Sequence, residues 1–166
     1  MSTPFHGKIF TFTQPDGTKV KVLVTGGAGY DINHLFVVDA TSGEAADLTA
    51  GQDFDFPNFA DVGAGEELDW APDSSRIAFG AHAERAKATS TNGEIYEVTL
   101  ADRKLTKLTT NPAMDITPRY SPDGRHLAWR AQARPGFEAD RWELQVMDRA
   151  SGRIVRTTKG FDRSVD

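Results

Sequence analysis

This 166-residue chain has four histidines, His6, His34, His82 and His126, the residue type most often used as a general acid or base near neutral pH. None pairs with another at metal-ligand spacing. A nucleophilic triad would need one of them beside an activated serine and an orienting carboxylate, and surface or strand-edge roles account for all four. Asp53, Asp55, Asp61, Glu66, Glu67 and Asp69 crowd one stretch. Carboxylates on a loop hold calcium, but the alternating Asp pattern closed by a glycine and a distal Glu is missing, so the stretch reads as a solvated acidic loop. Gly26-Gly27-Ala28-Gly29 follows a strand-like run. A phosphate cradle needs a helix start behind the glycines and a Lys-Ser/Thr to close it. Neither is there, so it reads as a connector or a graft junction. The chain has no cysteine, which removes disulfides, thiolate metal sites and a thiol nucleophile. The expectation is no catalytic residue, no metal and no cofactor.

Composition narrows the class further. Hydrophobic residues make up 39% of the chain, enough for a core. The net charge of -5 and the scatter of the 19 basic residues argue against a nucleic-acid partner, which needs concentrated Lys and Arg. No apolar stretch approaches a membrane span, and Met1-Ser2-Thr3-Pro4-Phe5-His6 lacks the basic and apolar regions of a signal peptide. A soluble chain off the membrane is expected, with its compartment open.

The elements that would position these residues are written as a repeat. Thr13-Gln14-Pro15-Asp16-Gly17, Trp70-Ala71-Pro72-Asp73-Ser74 and Tyr120-Ser121-Pro122-Asp123-Gly124 each open a short apolar run. Asp after Pro in a tight turn bonds the backbone two residues on. Pro15, Asp16, Gly17, Pro72, Asp73, Pro122, Asp123 and Gly124 therefore read as structural turn residues. The runs that follow are Val20 to Val24, Ile77 to Ala81 and Leu127 to Ala131, with large apolar residues in first and third place. That is the period-two alternation of strands. Third elements follow at Leu35–Asp39, Ile95–Thr99 and Leu144–Asp148, apolar on both faces in the first and nearly so in the third, as in stacked sheets. Each is succeeded by a turn and an outer strand closing on Thr49, Thr109 and Thr158. The interval from Asp39, Thr99 or Asp148 to that threonine is ten residues every time. With opening strands at Ile9–Thr13, Glu66–Trp70 and Thr117–Tyr120, each unit holds four short antiparallel strands, the content of one propeller blade. Blades are expected at 7–52, 60–111 and 113–160, with 161–166 starting a next blade or forming a tail. Residues 81–87 read as a loop. Trp70, Phe79, Tyr120, Trp129 and Trp142 are expected to fill the space between blades.

From about His34 to Asp166 the chain resembles part of the N-terminal β-propeller of the prolyl-oligopeptidase family, nearest to bacterial dipeptidyl-peptidase and acylaminoacyl-peptidase members. The resemblance is carried by Tyr120-Ser121-Pro122-Asp123-Gly124, by Arg134-Pro135-Gly136-Phe137-Glu138-Ala139-Asp140-Arg141 leading into Trp142, and by Phe161-Asp162-Arg163-Ser164-Val165-Asp166. TolB-type propellers share the first motif; the second is more specific. Residues 1–31 fit less well: Lys21 takes the place of Ala78 and Ala128, and Thr13 that of Trp70 and Tyr120. The run from Gly7 to Thr13 is similar to the opening of some secreted metallopeptidase precursors, so the first half of the first blade reads as a graft in a chimeric or engineered protein.

The family's members carry a C-terminal α/β-hydrolase domain with Ser, Asp and His. This sequence contains no Gly-x-Ser-x-Gly nucleophile turn, so the resemblance implies the propeller and not the peptidase activity. In dipeptidyl-type relatives propeller glutamates grip the substrate's free amino terminus by charge-assisted hydrogen bonds. On that resemblance Glu138, flanked by Arg134 and Arg141, would have this role in a full-length enzyme. The bland alternative is that Glu138 pairs locally with Arg134 or Arg141.

The expected fold is therefore all-β, a partial propeller of three four-stranded antiparallel blades. Three blades leave two sheet faces uncovered, and large apolar patches promote association. Two chains completing a six-bladed ring by twofold symmetry is the expected solution. Three functions follow as expectations. The first is a non-catalytic, self-assembling structural scaffold. The second is the substrate-gating propeller of a serine peptidase. The third is a TolB-like module binding a protein or peptide at its central channel.

Overall fold

The computed structural model describes residues 7–13, 19–25, 34–39, 41–52, 54, 67–82 and 90–165, with the first two segments given as backbone. Twelve strands are found among them and no helix. They are β1 (Gly7–Thr13), β2 (Lys19–Thr25), β3 (His34–Asp39), β4 (Ala45–Asp47), β5 (Leu68–Trp70), β6 (Arg76–Ala81), β7 (Glu94–Thr99), β8 (Leu105–Lys107), β9 (Asp115–Tyr120), β10 (His126–Ala131), β11 (Glu143–Asp148) and β12 (Ile154–Arg156). They form three four-stranded sheets in chain order, β1-β2-β3-β4, β5-β6-β7-β8 and β9-β10-β11-β12. Every neighbouring pair is antiparallel. The expected all-β class and its three four-stranded sheets are thus what the chain forms.

The sequence alternation explains how the sheets stack. On β6, Ile77 and Phe79 are large while Ala78 and Gly80 are small, and all four are buried. Successive strand residues point to opposite faces, so this sheet has a bulky face and a flat one. Ala78 and Ile95 on the flat face receive Leu127, Trp129, Ala131 and Met147 from the bulky face of the third sheet. The bulky face of the second sheet, with Ile77, Phe79, Tyr96 and Val98, packs on Leu35 and Leu48 of the first. Phe54 fills the remaining corner, stacked 4.7 Å from Tyr96. Nesting large residues on small ones is what close packing of repeated sheets requires.

The constant ten-residue interval has a bonding reason. Thr49 Oγ1 accepts from Leu35 N at 3.0 Å, Thr109 Oγ1 from Ile95 N at 2.9 Å and Thr158 Oγ1 from Leu144 N at 2.8 Å. Each outer strand is too short to pair the start of the strand inside it. The threonine hydroxyl takes over that backbone donor, which would otherwise be unsatisfied.

Two opening strands start elsewhere than the repeat suggests. β5 begins at Leu68, two residues later than expected, and β9 begins at Asp115, two residues earlier. The β9–β10 pairing shifts register between Ala128 and Arg130 of β10, opposite Arg119 and Ile116, and Thr117 of β9 adopts φ 53°. This bulge lets pairing continue past Pro118, which has no N–H to give to a ladder. The acidic stretch is not simply a solvated loop either. Glu67 is buried and Asp69 lies in β5, where its Oδ2 accepts from Tyr120 N at 2.8 Å. That bond ties the inner strands of the second and third sheets together. Asp53, Asp55, Asp61 and Glu66 lie outside the described residues, as do Pro15, Asp16, Gly17, the Gly26–Gly29 run and residues 83–87.

Candidate functional site

Three clusters in the third sheet and its seam with the second gather the polar residues that could act. The first is the loop between β10 and β11. Asp140 organises it: its Oδ2 accepts from Ala133 N at 3.0 Å and from Arg134 N at 2.8 Å, and its Oδ1 accepts from Arg134 Nε at 2.8 Å. The Arg134 side chain, first, and these backbone donors hold the Asp140 carboxyl well below the usual carboxylate range. The Arg134 guanidinium also lies 4.1 Å from the ring centre of Phe137. Gly136, at φ 73°, donates its N–H to Thr91 Oγ1 at 2.9 Å, fastening the loop to the second sheet. Gln132 Nε2 closes it from inside by donating to the carbonyls of Glu138 at 3.0 Å and Asp140 at 3.1 Å.

Glu138 stands on the outside of this loop. Its side chain is exposed and has no hydrogen bond or ion pair among the described residues. Arg134 is engaged by Asp140, and Arg141 by Glu143, which also accepts from Arg156 Nε at 2.7 Å. Burial pushes the Glu143 carboxyl up, but the hydrogen bonds from Arg156 and Arg141 outweigh it and leave it below the usual range. The three residues singled out from the sequence therefore share a loop, while the two arginines serve carboxylates other than Glu138.

The second cluster is a buried polar knot where the second sheet hands over to the third. Asp115 Oδ1 accepts from Trp129 Nε1 and from Asn111 Nδ2, both at 3.2 Å, and Asn111 Nδ2 also reaches the Gln132 carbonyl at 2.8 Å. Asp115 Oδ2 and Gln132 Oε1 are buried without a hydrogen bond. Burial raises the Asp115 carboxyl to about 7, the nearby Glu94 charge adds to the rise, and Asn111, Thr109 and Trp129 oppose it. Glu94 in turn accepts from Thr109 Oγ1 at 2.6 Å and pairs with Lys107 Nζ at 2.6 Å.

That pairing repeats in every sheet. His34 Nδ1 meets Asp47 Oδ2 at 2.8 Å, at the same two positions as Glu94–Lys107 and Glu143–Arg156. In the first sheet the carboxylate of the pair stands on the outer strand. Sequence reading missed this cross-strand pair, although an ionisable residue heading each third strand, answered thirteen residues later, was the signal for it.

The third cluster is the seam itself. Tyr120 donates its hydroxyl to Glu97 Oε2 at 2.6 Å, and Arg149 Nη2 reaches the same oxygen at 2.6 Å. The Arg149 guanidinium also lies 5.1 Å from the Tyr120 ring centre. Burial, then the bond to Glu97, pushes the Tyr120 phenol above its ordinary value.

The other side chains flagged from the sequence fill structural positions. Asp73 Oδ1 accepts from Ser75 N and Asp123 Oδ1 from Arg125 N, each at 3.0 Å, within the turns carrying Pro72, Pro122 and Gly124. Phe79 and Trp129 are buried, Trp70 and Tyr120 pack against the two core clusters, and Trp142 lies 5.7 Å from the Arg130 guanidinium. His82 Nε2 is 3.1 Å from the Ser90 carbonyl, His126 is exposed, and His6 lies outside the described residues. Among the described residues no group of three His, Cys, Asp or Glu is placed to hold a metal ion, and no helix is long and apolar enough to cross a membrane.

The far face of the third sheet is open. Thr117, Arg119, Ala128, Arg130, Leu144 and Val165 line a groove of about 380 Å³ on it. Ala128 and Leu144 hold the register positions of Ala78 and Ile95, which are fully buried one sheet earlier. The chain beyond β12 then repeats an earlier path. Val165 N donates to the Trp142 carbonyl at 3.1 Å, as Asp115 N donates to the Gly93 carbonyl at 2.8 Å where β9 begins.

No family model matches the chain. Dipeptidyl-peptidase 5 of Porphyromonas gingivalis is 31% identical over 141 residues, covering 81% of this chain and 20% of that protein. The chain thus spans about a fifth of that relative's length. TolB from Acinetobacter baumannii superposes with a TM-score of 0.60 at 18% identity over 90% of this chain and 32% of its own. Pyrococcus horikoshii acylaminoacyl peptidase gives 0.56 at 13% identity over 90% of this chain and 24% of its own. The two structures speak for the propeller fold, and the peptidase sequence speaks for the lineage. Together they make the chain a β-propeller segment of the prolyl-oligopeptidase family.

Proposed function

We propose that this chain is a non-catalytic propeller segment whose work is assembly. It supplies three sheets of a propeller wall and takes further propeller sheet on the open face of β9–β12. The observation that carries this reading is the register match. Ala128 and Leu144 stand half-exposed where Ala78 and Ile95 are wholly out of water. A repeated sheet that buries this face once is built to bury it again. In the isolated chain a second copy provides the cover, and two three-sheet chains close one ring by twofold symmetry.

A second reading is favoured by the sequence likeness to dipeptidyl-peptidase 5 across 81% of the chain. In such a protein the wall gates peptides on their way to a separate hydrolase. Glu138, exposed on a loop that Asp140 and Gln132 hold rigid, is then the carboxylate offered to a substrate amino terminus.

Light scattering coupled to size exclusion tests the first reading. A dimer at micromolar concentration is expected, and a monomer that persists as concentration rises overturns self-assembly. The pure chain is expected to leave dipeptidyl and acylaminoacyl chromogenic substrates intact. Their hydrolysis would defeat both readings.

A further inference from the structure

The strand that brings the third sheet against the second is β9, which lies against β5, β6 and β7. What β9 meets there and what the third sheet offers on its own open face are opposite in charge. Ala78 and Ala128 hold the same register position, and their inner-strand partners are Asp69 and Arg119. Asp69 takes the Tyr120 N–H in the filled seam. Gly80 and Arg130 are likewise twins, paired with Ile95 and Leu144. Where the covered face has a carboxylate and a glycine, the open face has two guanidinium groups.

Arg119 Nη1 is engaged by the Leu68 and Pro118 carbonyls at 3.3 Å and 2.8 Å. Arg130 is placed differently. Its Nε donates to Thr117 Oγ1 at 3.0 Å and its guanidinium lies 5.7 Å from the Trp142 ring centre, so its fork is held half-buried in the groove of about 380 Å³. Arg76, Arg134, Arg141, Arg149 and Arg156 each pair with a carboxylate; Arg130, among the described residues, does not. A planar guanidinium partly out of water is best matched by a carboxylate that takes two of its N–H groups. Ala128, Leu144 and Val165 beside it offer apolar contact. Val165 N meets the Trp142 carbonyl as Asp115 N meets the Gly93 carbonyl, so a strand on this path crosses the groove as β9 crosses the second sheet.

We infer that the open groove of the third sheet is a docking site for an extended peptide strand that brings a carboxylate side chain to Arg130. Thr117 and Trp142 hold the guanidinium, and Ala128, Leu144 and Val165 receive the apolar residues of the strand. The Arg119 side chain has no acceptor, so a strand that needs one, as β9 does at Tyr120, is not matched here. The inference rests on the reading that this face takes further propeller strands and adds that the incoming strand is acidic.

The test is a ¹H–¹⁵N NMR titration of the full 166-residue chain. The probes are acetyl-Val-Glu-Val-Thr-amide and its glutamine counterpart, which keeps the shape and loses the charge. The glutamate peptide is expected to shift the amides of Ala128, Arg130, Leu144 and Val165 saturably, with the glutamine peptide weaker by roughly tenfold. Arg130→Gln is expected to bind the two peptides equally, while unmoved Leu127 and Met147 signals show that the fold is kept. Mass is read by light scattering on the same samples. A monomer that prefers the glutamate peptide at these amides defeats self-assembly and leaves the inference standing. A dimer that does not distinguish the two peptides overturns the inference and leaves self-assembly standing. Silence of the four amides at millimolar glutamate peptide also overturns it, as does a glutamate preference that survives in Arg130→Gln.

Discussion

Asp115 lies almost wholly out of water at the head of β9, with one oxygen bonded and the other buried without a hydrogen bond. Its folded pKa of about 7 stands above the ordinary value of 3.8 because burial disfavours the charged form. A carboxyl raised in this way contributes stability that is full below its unfolded pKa and is lost as pH rises through the folded value. The chain should therefore lose stability between about pH 4 and pH 7, by a few kcal/mol at most. Asp115→Asn removes the titration, and its urea midpoint should stay flatter across this window than that of the parent; an equally steep decline in the variant would remove Asp115 as the cause. Asp140 works in the opposite sense. Its lowered pKa, set first by Arg134, means stability present above its unfolded value and lost as pH falls toward strong acid. A third residue-scale expectation concerns Thr109, whose hydroxyl accepts from Ile95 N and donates to Glu94. Thr109→Val strands a buried backbone donor and should cost about 1–3 kcal/mol in chemical denaturation.

The repeated turns show the element scale at work. The turn between the third and fourth strands of each sheet places Gly43 at φ 75°, Arg103 at φ 55° and Gly152 at φ 70°. The Pro-Asp turn does likewise with Ser74 at φ 58° and Gly124 at φ 68°. A side chain in the left-handed region costs about 1–2 kcal/mol that glycine avoids. The second sheet thus carries two strained turns where the third carries none. Ser74→Gly and Arg103→Gly should each raise stability by about 1 kcal/mol, and Gly124→Ala should lower it, measured as shifts in thermal midpoint. A drop in midpoint for both glycine variants would refute the strain account. The legible part of these turns was their glycines; Arg103 and Ser74 do not advertise the same backbone, and only alignment with their twins reveals it.

On the scale of the whole molecule, the proposed assembly rests on one face of one sheet. Ile95 and Leu144 occupy the same register, the first fully buried between sheets and the second half-exposed on the open face. Ile95→Lys should unfold the chain or cost it more than about 3 kcal/mol, since it buries an unpaired charge. Leu144→Lys should leave the folded chain intact by circular dichroism yet yield a monomer by light scattering. If Leu144→Lys still dimerises, the open face is not the contact between copies. The outer strand β12 adds to the exposed surface there, with Ile154 and Val155 each about two-fifths exposed.

The sequence by itself determined the strands, because period-two alternation and Pro-Asp turns are local properties that need no partner. It also determined the stack. Large residues at Ile77, Phe79, Leu127 and Trp129 beside small ones at Ala78 and Ala128 leave the second and third sheets a bulky face and a flatter one. The ten-residue interval to Thr49, Thr109 and Thr158 announced a bond whose donor could be named only once the outer strands proved too short to supply it. What the tertiary structure decided were meetings between residues far apart in the chain. Asp69 reaches the backbone of Tyr120, and Glu97 gathers Tyr120 and Arg149. These pairings depend on how two twisted sheets seat against each other, and no spacing within one repeat encodes that.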